Sequence, residues 1–175
     1  SPLGGTWRTR SSPLGSIPIR EAEAHSVNEI TCINHVGIRV RDLAVSRGFY
    51  EKLGFELIVG PVGPEPVAIV EHPSGVNINL IRNASEDAAP ENVLMDQATK
   101  HAGYTHIALE ITDSESVERQ LDELGIEITE RVEFGGARFF FVRDPDGNVL
   151  EFHEPAPGTS TGRVPQAAND AVEPS

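Results

Sequence analysis

Histidines at positions 35 and 106 are each followed seven residues later by an aspartate. The stretches that carry them, Ile33-Asn-His-Val-Gly-Ile-Arg-Val-Arg-Asp42 and Tyr104-Thr-His-Ile-Ala-Leu-Glu-Ile-Thr-Asp113, repeat each other at an offset of 71 residues. Both stretches alternate as half-buried strands do, so His35, Gly37 and Arg39 share one face, and His106, Ala108 and Glu110 share the equivalent one. Near the end of the second copy Leu150 and Phe152 take the helix-facing side, which turns Val149, Glu151 and His153 the other way. In the first copy the corresponding inward residues are Asn77 and Asn79, and Asn79 is the repeat partner of Glu151. Two imidazoles and one carboxylate at repeat-related positions form a ligand set for a single divalent ion, Fe, Mn, Zn, Ni or Co, with coordination positions left for substrate and water. Asn79 is either a weak fourth position or a substrate contact, and Asn77 and Tyr104 join it as substrate-contact candidates. His153 shares the face of Glu151, which makes it an acid–base candidate beside the metal or a rim histidine in solvent.

The elements that must position these residues follow from the same repeat. Leu53-Gly54-Phe55 returns as Leu124-Gly125-Ile126, and His72-Pro73-Ser74-Gly75 returns as Asp144-Pro145-Asp146-Gly147, one residue further on. Each copy opens with an apolar strand (residues 32–40 in the first). An aspartate N-cap and a helix closed at Gly54 or Gly125 come next, with Val45, Phe49 and Leu53 inward in the first and Val117, Leu121 and Leu124 in the second. Three short strands complete each unit: 56–59, 67–71 and 76–81, then 127–129, 138–143 and 148–153. The fold class predicted is α+β, two paired βαβββ modules. Their boundaries are about 29–83 and 104–154, with an acidic connection at 84–103 carrying one short helix near 92–98. Residues 1–28 and 155–175, rich in Pro, Gly and Ser, read as flexible tails.

Composition narrows the partners. With 14 Lys plus Arg against 27 Asp plus Glu in 175 residues, the formal net charge is −13. Such a surface repels nucleic-acid backbones and anionic membranes. No apolar run reaches the roughly 20 residues needed to cross a bilayer, and the one cysteine, Cys32, excludes an internal disulfide framework. A soluble, cytoplasmic protein is expected.

Four segments, His35-Val-Gly-Ile-Arg-Val-Arg-Asp42, Phe49-Tyr-Glu-Lys-Leu-Gly-Phe55, His106-Ile-Ala-Leu-Glu-Ile and Asp144-Pro-Asp-Gly-Asn-Val-Leu-Glu151, resemble the vicinal oxygen chelate superfamily of glyoxalases, bleomycin resistance proteins and extradiol dioxygenases. The resemblance implies that the paired modules form an incomplete mixed β-barrel cup with helices outside, around a metal, commonly in a homodimer whose site lies within one chain or across two. It also implies a divalent-metal-dependent enzyme acting on a small oxygen-chelating substrate. Lyase, isomerase or dioxygenase chemistry would proceed through a stabilised enolate or peroxo-type anion, with Glu151 and His153 handling protons. Against ring cleavage, Phe141 stands where the extradiol pattern has tyrosine, and Glu133 to Gly136 contain no histidine. Against glyoxalase I, Asn79 stands where an acid is expected. Against fosfomycin resistance, the Phe-His-Glu-Pro that follows Glu151 offers no phosphonate-binding cation. The rival expectation is a metal-free protein of the bleomycin-resistance type that sequesters a small cationic molecule, which the net charge would suit.

Overall fold

The structure, a computed structural model, describes residues 27, 29–86 and 91–159. The chain divides into two units, Ser1–Cys32 and Ile33–Ser175, and every element below belongs to the second. The predicted tails 1–28 and 155–175 lie almost wholly outside the described residues.

Two four-stranded mixed sheets make up this unit, each with one helix against it. In module 1, β1 (Val36–Val40) leads into α1 (Leu43–Lys52), then β2 (Glu56–Val62), β3 (Val67–Glu71) and β4 (Asn77–Arg82). Module 2 repeats the order with β5 (His106–Glu110), α2 (Ser114–Glu123), β6 (Ile128–Phe134), β7 (Ala137–Arg143) and β8 (Val149–Glu154). The sheet orders are β1-β4-β3-β2 and β5-β8-β7-β6, so the last strand of each module inserts beside its first and pairs with it in parallel. Among the described residues no closed barrel forms.

Local chemistry sets the helix ends. Asp42 Oδ1 accepts from the N–H groups of Ala44 (2.8 Å) and Val45 (3.0 Å), and Asp113 Oδ1 accepts from Ser116 N at 2.9 Å, which satisfies donors that have no partner inside the helix. After Leu53 the chain reverses through Gly54 at φ +88°, a left-handed conformation that suits glycine. Ala68, Val70, Ile78 and Leu80 on one side of sheet 1, and Phe140, Val142, Leu150 and Phe152 on the corresponding side of sheet 2, form the core with Tyr50, Phe55 and Leu121. That packing confirms the alternation read from the sequence. Ile78 and Leu80 face the helix, while the register Gly37↔Asn79 and Ala108↔Glu151 puts both polar residues on the opposite face of their sheets.

Two expectations are corrected. Val45 is 55% exposed; the buried residues of α1 are Ser46 and Tyr50. The reason is that this helix packs against a polar turn as well as against its own sheet. Tyr50 Oη donates to Asp144 Oδ2 at 3.1 Å, Ser46 Oγ to Asp146 Oδ2 at 3.2 Å, and Arg41 Nε to Asp146 Oδ1 at 2.7 Å. The second correction concerns residues 92–98, which form a hydrogen-bonded turn rather than a helix. Asn92 anchors it: its Oδ1 accepts from Leu94 N and Met95 N, and its carbonyl accepts from Asp96 N at 2.8 Å.

Candidate metal and substrate site

Because β5 and β8 are parallel neighbours, His106 and Glu151 lie on one face of adjacent strands. Their side chains meet, with His106 Nε2 and Glu151 Oε2 2.9 Å apart. The other carboxylate oxygen, Oε1, accepts from His153 Nδ1 at 2.7 Å. Glu151 is 7% exposed, so the carboxylate is buried with an imidazole on each oxygen. β7 supplies the wall through the register Phe139↔His153 and Phe141↔Glu151. The Phe139 ring stacks on His153 with centroids 5.2 Å apart and planes 4° from parallel, and Phe141 meets His106 edge-on at 5.7 Å.

The donor set suits a divalent ion at this point. His106 Nδ1 lies 2.9 Å from Thr105 Oγ1, a contact that holds the ring with Nε2 turned toward Glu151. His35 is arranged in the same way. Its Nδ1 lies 2.8 Å from Asn34 Oδ1, an acceptor only, so Nδ1 carries the hydrogen and Nε2 presents a lone pair. His35 nevertheless does not reach the carboxylate in this chain. Among the described residues no three His, Cys, Asp or Glu side chains converge to hold a metal ion. His35 and His106 both line a hollow of about 1000 Å³ with Val36, Ile38, Tyr50 and Ile107, whereas Glu151 and His153 do not line it.

The remaining candidates separate. Asn77 Nδ2 donates to Glu71 Oε2 at 3.1 Å, a contact within its own sheet. Asn79 Oδ1 is buried and accepts no hydrogen bond among the described residues, on the face of sheet 1 away from its helix. Tyr104, a substrate-contact candidate, is 98% exposed and lines the hollow.

Sequence reasoning missed two groups. One is the clasp that fixes the turn before β8, where Asp144 accepts from Asp146 N, Asn148 N, Asn148 Nδ2 and Tyr50 Oη. Burial raises the Asp144 carboxyl above its usual value and pushes the Tyr50 phenol well above its own. Its signal was present in the Asp-Pro-Asp-Gly-Asn turn and the aromatic pair Phe49-Tyr50. The other is the Phe139 and Phe141 wall, whose signal was the period-two spacing of aromatics opposite Glu151 and His153.

Residues 32–152 match the Glyoxalase/Bleomycin resistance protein/Dioxygenase superfamily. The chain is 29% identical over 133 residues to metallothiol transferase FosB of Bacillus licheniformis, a match that covers 72% of this chain and 77% of that protein. Among solved structures it resembles the glyoxalase family protein of Enterococcus faecalis, with TM-score 0.58, 28% identity, 70% of this chain and 97% of that one covered. A point mutant of the fosfomycin resistance protein FosX of Listeria monocytogenes, solved in complex with Mn(II) and 1S,2S-dihydroxypropylphosphonic acid, gives TM-score 0.56 at 18% identity, covering 73% and 95%, and shows likeness of fold.

Proposed function

This chain belongs to the Glyoxalase/Bleomycin resistance protein/Dioxygenase superfamily, and on that premise we propose that it is a divalent-metal-dependent enzyme for a small oxygen-chelating substrate, with its site completed between two copies of the chain. The observation that carries this reading is the pair His106 Nε2 and Glu151 Oε2, 2.9 Å apart on adjacent strands with the carboxylate buried. The pair is two-thirds of a ligand set. His35, held by Asn34 with Nε2 available and grouped with no second ligand among the described residues, supplies the third from the other copy. The bound ion would supply Lewis-acid chemistry to vicinal oxygens.

The protein's own groups do the rest. His153, with Nδ1 anchored on Glu151 Oε1, keeps Nε2 for a proton transfer at the substrate, and stacking on Phe139 fixes its ring plane. Asn79 shares the face of sheet 1 away from its helix with Gly37 and His35, so the copy that brings His35 also brings Asn79 Oδ1, which accepts from a substrate hydroxyl. The reaction is an isomerisation, addition or group transfer at a carbon next to the chelated oxygens. Likeness to a metallothiol transferase supports the metal-enzyme part of this reading.

Mixing variants tests it. His35→Ala and Glu151→Ala each lose the metal alone. Denatured together and refolded, they recover about a quarter of the wild-type metal per chain, because half the dimers of a twofold pair are mixed and each mixed dimer holds one intact site. No recovery would place all three ligands in one chain. A wild type that takes up no Fe, Mn, Zn, Ni or Co would overturn the metal reading and favour the metal-free binding protein.

A further inference from the structure

The contacts around Glu151 close into a circuit: Glu151 to His106, His106 edge-on to Phe141, Phe141 edge-on to Phe139 at 6.1 Å, Phe139 stacked on His153, and His153 back to Glu151. Three features of this circuit define what can lie on it. Its walls are aromatic, and Phe139 and Phe141 are each only half-buried, which leaves ring surface to cover. Its surroundings are acidic, since Glu110 stands opposite His153 and Glu130 opposite Phe141, and neither forms an ion pair among the described residues. The arginines of β6 and β7 are already paired. Arg131 and Arg138 lie on the helix side, tied to Glu118 and Glu154. Arg143, which shares the face of Phe141, is held by Asp96 at 2.9 Å and by the Gly147 carbonyl at 2.9 Å.

We propose that Phe139, Phe141 and His153 form a subsite for a flat aromatic group of the substrate that carries no negative charge, with Glu110 and Glu130 favouring a cationic substituent on it. The inference rests on the metal reading above and adds the class of substrate. A flat ring gains dispersion and quadrupole attraction from edge and face contacts with the two phenylalanines, and a positive substituent adds attraction to the ring faces and the carboxylates. An anionic substituent meets the Glu110 and Glu130 carboxylates, which form no ion pair among the described residues, while the arginines of β6 and β7 are already paired.

Hydroxamates test this because they chelate a metal through two adjacent oxygens whatever their substituent. On the zinc-loaded protein, calorimetry compares acetohydroxamate, benzohydroxamate, 4-(aminomethyl)benzohydroxamate and 4-carboxybenzohydroxamate. The ring improves affinity at least about tenfold over the methyl group, the ammonium analogue binds at least as tightly as the parent, and the carboxylate analogue binds about tenfold more weakly. Phe141→Leu, which keeps apolar volume without the ring, brings benzohydroxamate close to acetohydroxamate. Zinc content is measured on every sample, so failure of the metal reading shows as absent zinc. In that event the ring preference is read on the metal-free protein with benzamidinium against benzoate, and equal binding of the two overturns the subsite. On zinc-loaded protein, a carboxylate analogue as tight as its parent, or a ring advantage that survives Phe141→Leu, overturns it as well.

Discussion

Asn34 and Thr105 each stand one residue before a histidine at repeat-related positions, and each occupies that histidine's Nδ1. The repeat made both histidines visible in the sequence, but their tautomers depend on neighbours that a strand's alternation places on its other face, so the orienting role of Asn34 and Thr105 was not legible. Thr105→Val removes an acceptor at nearly constant volume. It is expected to weaken metal binding about 10- to 100-fold, read by competition with a chromogenic chelator, with the circular dichroism unchanged. Tyr50 offers a stability counterpart. Tyr50→Phe leaves the buried Asp144 Oδ2 without one of its donors and costs about 1–3 kcal/mol in urea unfolding. An unchanged midpoint would mean that Asn148 alone satisfies that oxygen.

Helices and turns show why element order was legible and helix rotation was not. Asp42, Gly54, Asp113 and Gly125 punctuate both helices, and the aspartates cap them as expected. The apolar spacing of Val45, Phe49 and Leu53 found two core-packed residues, Phe49 and Leu53, but missed the most buried ones, Ser46 and Tyr50, because their polar partners, Asp146 and Asp144, lie about a hundred residues away in sequence. Gly60 tests the β2–β3 hairpin. At φ +108° an added Cβ would fall inside the van der Waals shell of the Val67 carbonyl oxygen and 2.9 Å from Ala68 Cα, so Gly60→Ala lowers the melting temperature by several degrees or prevents folding. At the start of α2, Glu154 Oε2 accepts from Ser114 N at 2.7 Å. Hydrogen bonding to Ser114, and then Arg138, holds this carboxyl below its usual range. A lowered carboxyl stabilises the fold above its unfolded value and loses that contribution as pH falls through its folded value. Glu154→Gln is therefore less stable than wild type at neutral pH, and the gap closes in strong acid; thermal melts across pH check it.

Across the whole molecule, duplication was the most legible feature, because a repeated strand–helix–strands pattern survives in apolar spacing and glycine position even when side chains differ. Which open face meets which was not legible, since alternation says that a residue leaves its own core and nothing about whose surface it then meets. Ile33 at 82%, Tyr104 at 98% and Val93 at 56% exposure, beside the hollow lined by Val36, Ile38 and Ile107, leave an apolar surface that a second copy would cover. Sedimentation at micromolar concentration is expected to give about twice the 18.9 kDa chain mass, and Tyr104→Glu to shift it toward monomer.

The parallel pairing of β5 with β8 also sets a schedule. His106 enters on the first strand of its module and Glu151 on the last, with a helix and a hairpin synthesised in between. Loop closure must therefore be completed before the two side chains meet, and a chain emerging from the ribosome cannot bring His106 and Glu151 together until β8 has left the exit tunnel. On the proposed ligand set, metal capture would be a late event, open only to chains whose second half has already closed on itself.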